Sequence, residues 1–404
     1  MKILIIAPLF PPANTIGALR PYSWAKYWQM SGHEITILTL PIKNNKWETL
    51  EYDLSKYEII RIDSDVYLIR KIKTLLQKLL RKSSKQSFPD APTILDRWII
   101  RGFQSVKNRH WDCVISTYQP AAGHILGALL KKSNPSLKLI LDYRDLWTQN
   151  ASVPQKGMIN DFLEKWCNRQ ADLISTVSRP LADLLMSKYN LSNVVTIENG
   201  VDFEDLNKLT REKIWNDTRK RILYSGTIYS AHQDPSPLFQ ALQQIKKSAD
   251  RSLLENLEVI FIGPQNEYLN KLIKGFNIAD IVSYQGLQTR QTALKMQRDA
   301  DVLLFLEFSG FSDGVLTGKL FEYLASRTLI WTVGGSEQNS AKDLIQQIGC
   351  SISFNNNVEM LKEHLLNLLK NSKCTTKNPN NLIKKYDRKI LANKMINLIE
   401  DIKC

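Results

Sequence analysis

The feature that most constrains this chain is a recurring alternation of short, unbroken apolar runs with longer segments of helical period. Residues 2–7 (KILIIA) stay apolar where a half-exposed strand would place every second residue in water. Such a run fits a strand covered on both faces, as parallel sheets are. A Pro/Gly loop follows, from Pro8 to Gly17. Residues 18–31 then set Leu19, Tyr22, Ala25, Trp28 and Met30 on one helical face, and Gly32 supplies the stop. Residues 34–40 give a second strand. The pattern returns with strands at 112–116, 137–141, 172–177 and 194–197 and helices at 121–132 and 180–189. It returns again with strands at 221–224, 259–262, 281–284, 301–305, 329–333 and 350–354, and helices at 235–248 and 290–300. Alternation of this kind predicts an α/β fold with parallel sheets.

A chain of 404 residues exceeds one ordinary core. The charged stretch 201–216, which lacks a clear strand, separates two series of strand–helix units. Two domains are expected, 1–205 and 206–385, with a last helix over 386–404. No apolar run reaches the ~18 residues of a membrane-spanning helix. The apolar start ends in PLFPP, so it reads as a buried strand and not as a cleaved signal.

The five cysteines (Cys113, Cys167, Cys350, Cys374, Cys404) are scattered, and the five histidines are equally dispersed. That usage predicts a reducing compartment and no metal site. The formal charge of +14 predicts an anionic partner: nucleotide, anionic lipid or nucleic acid. Residues 66–85 (VYLIRKIKTLLQKLLRKSSK) place leucines and isoleucines on one helical face and Lys/Arg on much of the rest. This is the pattern of a helix lying on an anionic membrane surface, and equally of a surface helix packed on its own domain.

Ligands of open α/β sheets bind beyond the carboxyl ends of the strands. The segment 317–325 (TGKLFEYLA) follows a strand by a Gly/Ser-rich loop, which puts Thr317 and Gly318 at a helix N-terminus. Free amides and the helix dipole there favour a diphosphate, and Lys319 adds a positive charge. Glu322 lies one turn on, where a carboxylate can accept ribose hydroxyls. A capped helix with an ordinary Lys–Glu pair is the alternative. In the first half, residues 141–147 (LDYRDLW) offer a cation, a carboxylate and an aromatic ring just past a strand. Asp145 is a candidate for orienting an acceptor hydroxyl or taking its proton, and Arg144 for holding an anionic acceptor or fixing Asp145. A structural Arg–Asp pair under a packed Trp is the alternative there. His124, in the first turn of the next helix and facing the cleft, is a candidate for a direct role or a structural histidine.

The 317–325 segment resembles the donor-site helix of GT-B glycosyltransferases, in particular the retaining family 4. The resemblance extends to residues 5–20 and to 32–39 (GHEITILT), and covers nearly the whole chain. It implies two Rossmann-like domains facing a cleft, with the terminal helix crossing back to the first. It implies that Glu322 holds the donor ribose, that Thr317, Gly318 and Lys319 meet the diphosphate, and that Gly17, Gly226, Thr227, Gly263 and Gly286 lie close to the donor. The family's second Glu, eight residues upstream, is Gly314 here. Its Lys-Gly pair after the first strand of the second domain is absent from 229–234.

What the resemblance implies is transfer of a sugar with retention of configuration, from a nucleotide-diphosphate donor and without an obligatory metal or other cofactor. A UDP-sugar is the expected donor. A lipid-linked saccharide of O-antigen or capsule synthesis is the expected acceptor. The expected location is cytoplasmic, peripheral on the inner face of the membrane through 66–85. A sugar-nucleotide 2-epimerase of the same architecture is the first competitor. A basic nucleic-acid-binding protein ranks last, because the 66–85 cations alternate with aliphatics and not with aromatics.

Overall fold

The computed structural model describes all residues except 14, 42–51, 65–93, 95, 151–154, 156, 211, 230–231, 309–313, 336–339, 349–350, 372–380 and 403–404. The basic segment 66–85 therefore lies outside the described residues.

The chain divides into two compact units, Met1–Asn199 with Arg388–Cys404, and Gly200–Asp387. The first unit runs β1 (Lys2–Ile6), α1 (Ile16–Met30), β2 (Glu34–Thr39), β3 (Glu58–Arg61), α2 (Trp98–Val106), β4 (Cys113–Tyr118), α3 (Ala122–Ser133), β5 (Lys138–Tyr143), α4 (Met158–Gln170), β6 (Leu173–Thr176), α5 (Arg179–Tyr189) and β7 (Val194–Thr196). Its seven strands are ordered β3-β2-β1-β4-β5-β6-β7, with every pairing parallel. The unbroken apolar runs follow from this. In β1, Ile3 and Ile5 join the core on the α1 side, while Leu4 and Ile6 join the core on the other face with α2, α3 and α4. A strand buried on both sides has no place for a polar alternation. Helix α3 is buried along nearly its whole length. Its small residues permit this: a Cβ on Gly127 would lie 2.9 Å from Leu139, and one on Gly102 of α2 would lie 2.9 Å from Leu126.

The second unit runs α6 (Phe203–Asn207), β8 (Lys220–Ser225), α7 (Ser236–Lys246), β9 (Leu257–Ile262), α8 (Glu267–Gly275), β10 (Val282–Tyr284), α9 (Arg290–Asp299), β11 (Val302–Leu306), α10 (Gly318–Ser326), β12 (Leu329–Val333), α11 (Ser340–Ile348), β13 (Ser351–Ser353) and α12 (Val358–Lys370). Its six strands are ordered β10-β9-β8-β11-β12-β13, again all parallel. The alternation repeats: Ile222 and Tyr224 face the core with α7, whereas Leu223 faces the one with α10. The last helix, α13 (Arg388–Glu400), returns to the first unit. Leu391, Ala392, Met395, Ile396 and Ile399 form its buried stripe, and Trp28 of α1 donates to the Ala392 carbonyl at 2.9 Å.

In each sheet the winding direction reverses between neighbouring strands, at β1/β4 and at β8/β11. That switch point is where open parallel sheets offer a ligand crevice, because adjacent crossover loops part there. Among the described residues no helix is long and apolar enough to cross a membrane.

Candidate functional site

In the second unit, three loops at the carboxyl edge meet around the start of α10. Gly226 follows β8, Gly263 follows β9 and Gly286 follows β10. They are laced together: the Gly226 N–H donates to the Ile262 carbonyl at 2.8 Å and the Gly263 N–H to the Gly286 carbonyl at 2.9 Å. Gly263 has φ 150°, and a Cβ there would run into the backbone of Gly226, so only glycine serves.

Lys319, in the first turn of α10, comes up against this glycine edge. A Cβ on Gly226 would lie 3.3 Å from Lys319 Cε and 3.4 Å from Nζ. The ammonium donates to Tyr224 Oη at 2.7 Å and sits 3.9 Å from the centre of that ring. Tyr224 in turn donates to the Thr227 carbonyl at 2.8 Å. Burial lowers the Lys319 pKa to about 7, with the Glu322 charge pulling it back up. A cation whose hydrogen-bond partner is a neutral phenol is poised for an anion. The helix start adds to this. Thr317, the N-cap, makes no side-chain cap bond, and its buried Oγ1 has no partner among the described residues. The first amides of α10 therefore receive no side-chain acceptor from the cap.

Glu322 is 7% exposed. Arg290 Nη1 donates to its Oε1 at 2.5 Å and Gln297 Nε2 to its Oε2 at 3.5 Å. Both donors come from α9, seven residues apart and so two turns along one face. Gln297 also reaches Ser225 Oγ at 3.3 Å, and Tyr323 Oη accepts the Ser225 N–H at 2.8 Å. The end of β8, α9 and α10 are thus one hydrogen-bonded frame about Glu322. Arg290, Gln297, Tyr224 and Tyr323 were not expected from the sequence. The only signal available was the seven-residue spacing of two polar residues on an otherwise amphipathic helix.

Gly314, the position at which the resemblance implies a second Glu, has φ 104°, a conformation that a Glu would adopt only under strain. The nearby acid Glu307 is 1% exposed, and burial raises its carboxyl pKa. Its carboxylate occupies the space that a Cβ on Gly335 would take.

In the first unit, a buried ion pair organises the carboxyl edge. Arg20 of α1 meets Asp142 of β5 through Nη2–Oδ1 at 2.7 Å and Nε–Oδ2 at 3.1 Å. Arg20 also donates to the carbonyls of Ile197 and Glu198, while Ser175 and Thr117 donate to Asp142. Arg144, two residues on, faces the same side and donates through Nε to the Tyr118 carbonyl at 2.8 Å and to Thr117 Oγ1 at 3.2 Å. Its guanidinium fills the space above Gly17, where a Cβ would lie 2.6 Å from Nη1. Gly17 and Arg144 are therefore a pair: the glycine admits the guanidinium. Asp145 is half-buried. Burial raises its pKa and the Arg144 charge lowers it again.

Trp147 and His124 are placed otherwise than their neighbours in sequence. Trp147 is fully buried, stacked near Tyr118 with centroids 6.3 Å apart, and its Nε1 donates to Asn160. It has no face for a sugar. His124 does not face a cleft. It is fully buried in the core on the sheet face away from α1, with Nδ1 2.6 Å from Ser116 Oγ and the ring edge-on to Tyr143. Burial, helped by the Arg144 charge, lowers its pKa to about 3, so it stays neutral. Among the described residues no group of three or more His, Cys, Asp or Glu is arranged to hold a metal ion.

Comparison by sequence finds no family model and no curated protein that matches the chain. Comparison by structure does find matches over its whole length. Sucrose-phosphate synthase from Thermosynechococcus elongatus superposes with a TM-score of 0.69 at 12% identity, covering 99% of this chain and 98% of that one. A variant of S. aureus TarM in complex with fondaparinux, α-GlcNAc-glycerol and UDP gives 0.60 at 11% identity, covering 99% of both. A UDP-N-acetylglucosamine 2-epimerase assigned in Listeria monocytogenes gives 0.58 at 13% identity, covering 99% and 95%. The chain has the GT-B fold. Transferases and 2-epimerases share that fold among its matches, so the GT-B architecture fixes the class of scaffold and leaves the reaction to the site residues.

Proposed function

We propose that the protein is a retaining glycosyltransferase that moves a sugar from a nucleotide-diphosphate donor, a UDP-sugar, to a lipid-linked saccharide in O-antigen or capsule synthesis. The observation that carries this reading is the Lys319 ammonium, set against the Gly226 backbone at the uncapped start of α10 and bonded to a neutral phenol. A diphosphate seated there gains the cation, the Thr317–Gly318 end of the helix and its dipole. Glu322, held by Arg290 and Gln297, receives the ribose hydroxyls. Gly263 and Gly286 leave room for the base. The first unit takes the acceptor, with Asp145 orienting its hydroxyl and Arg144 fixing Asp145 or holding an anionic group of the acceptor.

In this reading the bond from the anomeric carbon to the phosphate oxygen breaks first. The acceptor oxygen then joins the same face of that carbon and passes its proton to the departing phosphate. Positive charge at Lys319 grows in value as the diphosphate gains charge, which is where stabilisation accelerates the step. The work takes place on the inner face of the cytoplasmic membrane, where a lipid-linked acceptor is presented, and the basic 66–85 segment is suited to that surface.

A labelled UDP-sugar incubated with the protein and a membrane-lipid fraction tests the reaction. Label that moves to the organic phase, and moves far less with Glu322→Ala, supports transfer. Label recovered only as the 2-epimer, with no acceptor needed, overturns transfer in favour of the epimerase.

A further inference from the structure

We infer that the outer edge of α4 and α2 in the first unit is a docking surface for an anionic lipid bilayer. Three large apolar side chains stand in water at the start of α4: Met158 is 90% exposed, Ile159 68% and Phe162 68%. Ile100, in the first turn of α2, is 58% exposed. Among the described residues they take no part in the cores of the unit. The core side of α4 is supplied by Leu163, Trp166 and Cys167 instead.

These residues share one edge. In an all-parallel sheet each crossover helix starts at the carboxyl edge of the strands, so α2 and α4 begin on the same side. They flank the buried α3, which packs against both, and lie ~20 Å apart at ordinary helix spacing. The charges around the apolar tip have one dominant sign. Exposed positions of α2 and of the residues that flank it hold Arg97, Arg101 and Lys107; the exposed acid beside them is Asp63, whose carbonyl accepts from Arg101 Nη1 at 3.2 Å. Exposed positions of α4 continue the Met158–Phe162 stripe with Lys165 and Arg169. The acids of α4 are both engaged: Asp161 is paired with Lys188 at 2.6 Å, and Glu164 is buried against Thr148 and Tyr189. Apolar side chains that enter the acyl boundary, ringed by cations that meet lipid phosphates, are complementary to an anionic membrane surface. A protein partner would need a shaped counterpart; a bilayer needs only this composition. The surface lies on the same sheet edge as Gly17 and Arg144, so docking would present that edge to a lipid-linked acceptor. To that extent the inference rests on the proposed function.

Sedimentation of the protein with sucrose-loaded vesicles tests it. Vesicles of phosphatidylcholine with about one-third phosphatidylglycerol should bind the protein, and pure phosphatidylcholine much less, with binding weakened in high salt. The double variant Met158→Ser/Phe162→Ser should lose about a hundredfold in partitioning, since each apolar side chain returned to water is worth about tenfold. Lys165→Glu/Arg169→Glu should lose binding to the anionic vesicles alone. Both variants should keep the thermal stability and nucleotide response of the parent. Unchanged vesicle binding by both variants would overturn the inference. So would a concentration-dependent dimer that the Ser variant abolishes, which would assign the face to a second copy of the chain. Vesicle binding that is lost as expected, in a protein that takes no nucleotide, would keep this surface and sink the transferase reading instead.

Discussion

Donor binding should be linked to the protonation of Lys319. The ammonium is half-buried and touches the Tyr224 phenol and ring, and burial brings its pKa down to about 7. In the free protein its charged fraction therefore falls from about nine-tenths at pH 6 to about one-hundredth at pH 9. A bound diphosphate holds the proton on, because an opposite charge within hydrogen-bond reach favours the charged form. The sign follows: binding takes up protons, so affinity is full below the free pKa and declines as pH rises through it. The fall is about a hundredfold between pH 6 and 9, with about half a proton taken up at pH 7. Isothermal titration with a UDP-sugar checks this, run in buffers of different ionisation enthalpy. The sugar-linked diphosphate carries constant charge over the range, and Lys319→Met shows what ionisation of the uracil adds near pH 9. Lys319→Met should bind weakly at every pH and show no linked proton. A wild-type affinity that stays flat, or a slope that survives in Lys319→Met, would show that Lys319 does not carry the linked proton.

Other outcomes follow from the same geometry. Glu322→Ala should weaken donor binding about tenfold to a hundredfold, the worth of hydrogen bonds to a charged group, as read by the same titration. Gly17→Ala should leave the melting temperature nearly unchanged, since its Cβ meets the flexible end of Arg144. It should lower transfer about tenfold or more by displacing that guanidinium, and so resemble Arg144→Ala in a rate assay. Asp142→Ala should lower unfolding free energy by about 3–5 kcal/mol in denaturant titration, because it strands Arg20.

The alternation of strands and helices was legible because both faces of each sheet are covered. Every central strand then reads as an apolar run that no exposed strand would tolerate. Edge strand β3 was not legible: Ile59 and Ile60 lie between Glu58 and Arg61, half-exposed, and too short to carry a period. Helix α4 was obscured for the opposite reason, since Met158, Ile159 and Phe162 are apolar on the face turned away from the core. The glycines at strand ends and the Lys319 helix start were visible as local motifs, and the structure brings Gly226, Gly263, Gly286 and Lys319 together. The Arg290–Glu322 and Gly17–Arg144 contacts were not visible, because each joins elements far apart in the chain. Burial decided the remainder. Trp147 and His124 follow strands as site residues do, yet Trp147 sits in a loop packed against Tyr118, and His124 lies on α3, which is buried along nearly its whole length and so shows no exposed face to read.

In the proposed function, the carboxyl edge of the second unit, built on Lys319 and the glycine loops, takes a nucleoside diphosphate. A thermal-shift screen against UDP, GDP, ADP, CMP and their sugar conjugates tests it most directly. The UDP series should raise the melting temperature, and the rise should be lost in Lys319→Met and reduced in Glu322→Ala. The absence of a shift with any nucleotide, or a shift indifferent to both substitutions, would contradict it.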